Sequence, residues 1–245
     1  MKRINMYHSI LPPQYVSRMV HPNTKKNLDK WVNLNDDLDI KQEIWVDSEC
    51  RVFLKEFGES FGLDILKWYN YESDGRYKSD IWRICVLYEN GGIYVDVDQE
   101  PLTKISDYLD FDRFNICVAS NMGLHNVSNG FIYTEKKSEI IKNNIIEMVR
   151  VYENNLGKGG CHVMGRVITE MTGGEPLKMP LGEIKIGYEN CLFLHEIGDE
   201  TIPDGTQAFY NSFGLYSDND TKRVMNSRYE SYHTDRHNGV NFIKI

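Results

Sequence analysis

The sequence predicts an α/β fold on three observations: a strand, helix, strand order near the N-terminus, an amphipathic helix stopped by a Gly-Gly pair, and an extended segment directly after that stop. Ile4 to His8 reads as a first strand that leaves the core for a loop at Pro12-Pro13. Thr24 to Asn33 has helical spacing through Leu28 and Trp31, and Ile40, Ile44 and Val46 suggest a second strand closed by Asp47-Ser48. Ser48 to Phe61 and Leu63 to Tyr71 read as two short helices parted by Gly62.

The strongest helical signal runs from Asp74 to Asn90. Tyr77, Ile81, Ile84, Cys85 and Tyr88 fall on one apolar stripe, and Gly91-Gly92 supplies the stop. Ile93-Tyr94-Val95 then leads as a strand into Asp96-Val97-Asp98, and Pro101 ends the extended run. Phe114 to Ala119 and Gly130 to Tyr133 are expected strands. Lys136 to Asn154 is a long helix, and Gly157 to Gly160 a loop before a shorter helix. Cys191 to His195 and Gln207 to Tyr210 are short strand-like pieces. No repeat, low-complexity tract or linker divides the chain, so one domain is expected over 1–245.

Composition narrows the partners. With 28 basic and 36 acidic residues the formal charge is -8, and no Lys/Arg run is long enough to track a phosphate backbone, so nucleic acid is not expected. Lys2, Arg3, His8, Pro12, Pro13 and Arg18 interrupt the first twenty residues, which form neither a signal-peptide core nor a membrane span, and no later segment forms a span. Cys50, Cys85, Cys117, Cys161 and Cys191 lack CxxC spacing and are odd in number, so a reducing, cytoplasmic setting is expected. The sequons at Asn126 and Asn219 are read as chance occurrences.

The chemistry concentrates at Asp96-Val97-Asp98. On a strand, residues two apart point to the same face, so the two carboxylates would converge while Val97 returns to the core. Two ionised carboxylates ~4 Å apart repel by about 4 kcal/mol where the effective dielectric is near 20. A hard divalent cation, Mn²⁺ or Mg²⁺, satisfies such a pair and completes its shell with substrate phosphate oxygens. The bland alternative is a turn that merely closes a strand.

The block Tyr77-Lys78-Ser79-Asp80-Ile81-Trp82-Arg83, followed by Leu87 to Asp98, resembles the sugar-binding region of DXD-containing glycosyltransferases, a family that includes initiating mannosyltransferases and, more distantly, clostridial glucosylating toxins. The pattern K-x-D-x-x-R, helix, G-G-x-Y, D-x-D spans about twenty residues. The resemblance implies a GT-A type fold, a mixed nucleotide-binding sheet flanked by helices, with the acidic motif at a strand end. It implies a nucleotide-diphosphate sugar donor and a glycan or other hydroxyl acceptor; UDP-sugars and GDP-mannose both stay open as donors, with a UDP-sugar favoured. Retention of configuration is favoured; inversion would require a base such as Asp204 or Asp235.

The same resemblance distributes roles. Asp96, Asp98 and Arg83 are the catalytic candidates. Lys78, Asp80, Arg83, Gly91, Gly92, Tyr94, Asp96, Asn129 and Gly130 are candidates for donor binding, Tyr7 for stacking on the base and His8 for the neighbouring strand end. Asp96, Asp98 and His233 are the candidate metal ligands, with His237 competing for the last place. His162 is a candidate for the acceptor side. Simpler readings stand beside these: Asp80 and Arg83 are i, i+3 neighbours able to form an ordinary ion pair, Gly91-Gly92 a helix stop, Tyr94 a packing residue, and Asn129-Gly130 a turn feeding a strand. Two other functions compete with transfer: a sugar-nucleotide or glycan-binding protein without turnover, and a phosphatase of the haloacid dehalogenase type, whose first Asp would be a nucleophile.

Overall fold

A computed structural model describes residues 2–11, 19–20, 22–121, 126–173, 181–198, 213–217, 222–227 and 243–244. Its strands are β1 (Arg3–Ile10), β2 (Met19–Val20), β3 (Asp39–Val46), β4 (Gly92–Val95), β5 (Gln99–Pro101), β6 (Ile116–Asn121), β7 (Asn126–Thr134), β8 (Gly182–Ile186), β9 (Glu189–Gly198), β10 (Phe213–Ser217), β11 (Lys222–Ser227) and β12 (Ile243–Lys244). The helices are α1 (Pro22–Leu34), α2 (Asp47–Phe61), α3 (Ile65–Tyr71), α4 (Gly75–Asn90), α5 (Glu139–Glu153) and α6 (Cys161–Thr172). Pro12-Pro13, Asp204, Gln207 to Tyr210, Asn219, Tyr232, His233, Asp235 and His237 lie outside the described residues.

The main sheet runs β3-β1-β4-β7-β6-β9-β10-β11-β5, with β8 joined to β9; β2 and β12 form a separate small pair. β1 pairs in parallel with both β3 and β4, β7 lies antiparallel to β4 and β6, and β6 is parallel to β9. The sheet is therefore mixed, as expected. From Met6 to Ile10 every residue of β1 is buried, the signature of a parallel strand covered on both faces.

Helix α4 is the centre of the packing. Asp74 caps it by accepting from the Arg76 amide at 2.9 Å, and Gly91 closes it with its amide on the Leu87 carbonyl at 2.8 Å. The expected single stripe understates its burial: Ile81 through Leu87 are all buried, because α2, α3 and α5 pack around it while β1, β4 and β7 cover the rest. Gly62, at φ +80°, separates α2 from α3 as the sequence suggested.

Two boundaries moved with consequences for the site. β1 extends to Ile10, so His8 lies within the strand rather than at its end. β7 begins at Asn126, and its register against β6 jumps from Val118↔Ile132 to Ala119↔Ser128. Asn129-Gly130 is thus part of a bulge inside a strand, not a turn before one.

Candidate active site

The acidic motif is a turn. β4 ends at Val95, the Asp96 amide donates to the Gly130 carbonyl at 2.8 Å, and the Gln99 amide closes on the Asp96 carbonyl at 3.0 Å. Strand alternation therefore does not bring the two acids together; the turn does. Val97 anchors it by packing with Ile10, Val20 and Leu28, so its expected return to the core holds. Asp96 keeps 31% of its side chain exposed, whereas Asp98 is buried.

Burial and the charge of Asp96 push the Asp98 carboxyl up to about 8. Among the described residues no ion pair reaches Asp98, and no group of three His, Cys, Asp or Glu is preassembled for a metal. The surroundings nonetheless suit a hard cation. Gln99 Oε1 and Asn129 Oδ1 are buried oxygens without hydrogen-bond partners, and a Cβ on Gly130 would lie 2.2 Å from Gln99 Nε2 and 3.2 Å from Asp96 Oδ2. Carboxylate and amide oxygens in a site that leaves no room for a methyl group match the ligand chemistry of Mn²⁺ or Mg²⁺.

Arg83 joins the elements of the site. It donates to the Asn129 carbonyl on the β7 bulge, to Ser79 Oγ at 2.9 Å, and pairs with Asp80 at 3.2 Å and Asp96 at 3.4 Å. Its guanidinium lies 4.3 Å from the centre of the Tyr94 ring. Burial disfavours the charge, but Asp96, Tyr94 and Asp80 more than offset this and hold its pKa above the ordinary value. The expected Asp80–Arg83 ion pair is present, with Arg83 shared by a second carboxylate. Asp80 is pushed up to about 6 by burial, against the opposing effect of Arg83, and accepts from Asn129 Nδ2 at 3.3 Å. Tyr94 donates its hydroxyl to Asp96 Oδ1 at 2.7 Å.

Asp80, Arg83, Tyr94, Asp96, Asp98, Asn129 and Gly130 thus converge, and six other expected residues do not. Tyr7 is 1% exposed, edge-on to Trp82, with no free face for a base. His8 is fully buried, its Nδ1–H on the Val95 carbonyl at 2.8 Å and its Nε2 accepting from Gln42 at 3.2 Å; burial lowers its pKa to about 4, so the ring is neutral. It ties β1 to the end of β4. Lys78 bonds to Asp47 at 2.9 Å, because residues two apart on a helix cannot share the face of Asp80. Gly91 and Gly92 sit at the start of β4, where a Cβ would strike Lys136 N at 2.7 Å and Asn5 O at 2.4 Å. Packing against backbone is their requirement. His162 is exposed in the first turn of α6.

Three participants were missed. Ser9 and Ser79 lie beneath Tyr94, and Gly160, at φ +127°, caps α6 against Asp80. The only sequence signal was the inclusion of Ser79 in the K-x-D-x-x-R block and of Gly160 in a glycine-rich loop.

Residues 18–115 match the family described as "Glycosyltransferase sugar-binding region containing DXD motif". The match takes in α4 and the acidic turn and ends before Asn129. Among solved structures the chain is similar to a "PaToxG Glycosyltransferase", with TM-score 0.52 and 20% identity over 69% of each chain. It is also similar, at TM-score 0.43 and 9% identity over 70% of this chain and 68% of the other, to the UDP-bound glycosyltransferase domain from the YGT toxin. No curated protein matches. Among the described residues no helix is long and apolar enough to cross a membrane. The fold is of the GT-A type, and residues 18–115 of the chain match the sugar-binding region of the DXD-containing glycosyltransferases.

Proposed function

We propose that the chain, acting as one domain, transfers a sugar from a nucleotide-diphosphate donor to a hydroxyl acceptor with the help of Mn²⁺ or Mg²⁺ held at Asp96 and Asp98. The observation that carries this reading is the buried Asp98 carboxyl, set in one turn with Asp96 and in no ion pair among the described residues, with the charge of nearby Arg83 only partly offsetting its burial. A buried, unpaired carboxylate costs several kcal/mol unless a cation compensates it. The family resemblance adds His233 as a third ligand.

When bound, the cation supplies charge neutralisation to the leaving diphosphate. The chain's own residues do the rest. Arg83 and Asp80 offer a donor and an acceptor to the hydroxyls of the donor sugar, and the β7 bulge holds both through Asn129. Tyr94 fixes one Asp96 oxygen, and among the described residues no hydrogen bond takes the other. A UDP-sugar is favoured over GDP-mannose as the donor. The departing phosphate takes the acceptor proton and configuration is retained.

A thermal-shift panel of nucleotide sugars with and without Mn²⁺ tests this. One donor class should raise Tm only when the metal is present. A donor that stabilises equally in EDTA would remove the cation from the reading, and NMR of the anomeric product decides the stereochemistry.

A further inference from the structure

We propose that Ser79 is a positioning residue that directs a one-way hydrogen-bond chain, Arg83 to Ser79 to Tyr94 to Asp96, and so aims the Asp96 carboxylate at the cation. This rests on the reading of Asp96 as a cation ligand. The direction follows from chemistry. A guanidinium only donates and an ionised carboxylate only accepts, so both ends of the chain are fixed. Tyr94 spends its one hydroxyl proton on Asp96 Oδ1 at 2.7 Å. At the 2.8 Å contact between Ser79 and Tyr94, Ser79 must therefore be the donor. With its proton spent, Ser79 accepts from Arg83 at 2.9 Å and from Ser9 at 2.7 Å, which fills both lone pairs.

Ser79 thereby performs two tasks. Its proton occupies one lone pair of the Tyr94 oxygen, which the Ser9 hydroxyl also approaches at 3.3 Å, and the Tyr94 proton goes to Asp96. Its oxygen holds Arg83 Nη2, which among the described residues otherwise has only Asp80 at 3.2 Å and Asp96 at 3.4 Å. Without Ser79 the guanidinium closes on Asp96 and competes with the cation for it. Residues 79 and 83 are one helical turn apart, so α4 presents the acceptor and the guanidinium together. Ser79 is buried beneath the site, where a hydroxyl needs such partners.

The test is Mn²⁺ affinity in the presence of UDP, measured by water-proton relaxation, on wild type, Ser79→Ala, Ser79→Thr, Tyr94→Phe and the Ser79→Ala/Tyr94→Phe double variant, with unfolding curves confirming that each is folded. Ser79→Ala should weaken Mn²⁺ about tenfold, the scale typical of residues that orient metal ligands. Ser79→Thr, which keeps the hydroxyl, should return to within about twofold of wild type, and the double variant should bind no more weakly than the sum of the single effects. Wild-type affinity in Ser79→Ala, or equal loss in Ser79→Thr and Ser79→Ala, overturns the chain while leaving the metal reading intact. Absence of Mn²⁺ binding by the wild type overturns the metal reading itself, and the positioning role with it.

Discussion

A Cβ placed on Gly160 would lie 2.6 Å from the Asp80 carboxylate, so the start of α6 and the middle of α4 approach as closely as a hydrogen allows. Gly160 also holds φ at +127°, a conformation L-residues rarely adopt. Gly160→Ala should therefore cost about 1–3 kcal/mol of stability and, by displacing Asp80, lower kcat/KM for the donor about tenfold. Urea unfolding and donor kinetics measure the two separately. Wild-type kinetics in a destabilised variant would show that Asp80 does not touch the donor.

Asp98→Asn separates stability from function. Replacing a buried carboxyl raised by burial and by Asp96 relieves that cost in the metal-free protein, so Tm should rise by about 3 °C for each kcal/mol recovered. The additional stabilisation by Mn²⁺ with nucleotide sugar should vanish. Calorimetry with and without the ligands reads both, and a retained metal-dependent shift would take Asp98 out of the site.

His8 makes folding sensitive to acid. Its pKa falls from 6.5 to about 4 in the folded protein, so between those values the unfolded chain binds more protons. The contribution is fully present above pH 6.5 and is lost as pH falls towards 4, about 3 kcal/mol in all. His8→Gln should flatten the stability profile in that window, which denaturant titrations at pH 7 and 4.5 measure; an unchanged slope would assign the acid sensitivity to other groups.

Lys78 is predicted to act in folding rather than in donor binding. In Lys78→Met, Asp47 keeps Arg51 at 2.6 Å and the Tyr69 hydroxyl at 3.1 Å, so the loss should be about 1–2 kcal/mol. The donor KM should stay within about twofold of wild type. A KM increase without loss of stability would return Lys78 to the donor site.

Much of the fold was legible because its signals are local. The apolar spacing of α4, the stop at Gly91 and the β character of Ile93 to Val95 are properties of neighbouring residues, and the structure reproduces them. Tyr7, His8, Lys78, Gly91 and Gly92 were assigned by their place in a motif, but a motif does not say which way a side chain points. Lys78 and Asp80 are two residues apart in one block and face different partners, Asp47 and Arg83.

The sequence alone determined the α/β class, the helix that carries Asp80 and Arg83, and the pairing of two acids behind a buried strand, since short-range periodicity and motif chemistry suffice for each. Tertiary structure alone decided that the acids share a turn, that a bulge in β7 brings Asn129 onto Asp80 and Arg83, and that Ser9, Ser79 and Gly160 complete the site. The contacts of Asn129 with Arg83, of Ser9 with Ser79 and of Gly160 with Asp80 join residues 46 to 80 positions apart, and the packing of β1, β7 and α6 around α4 fixes them through distances that no local pattern encodes.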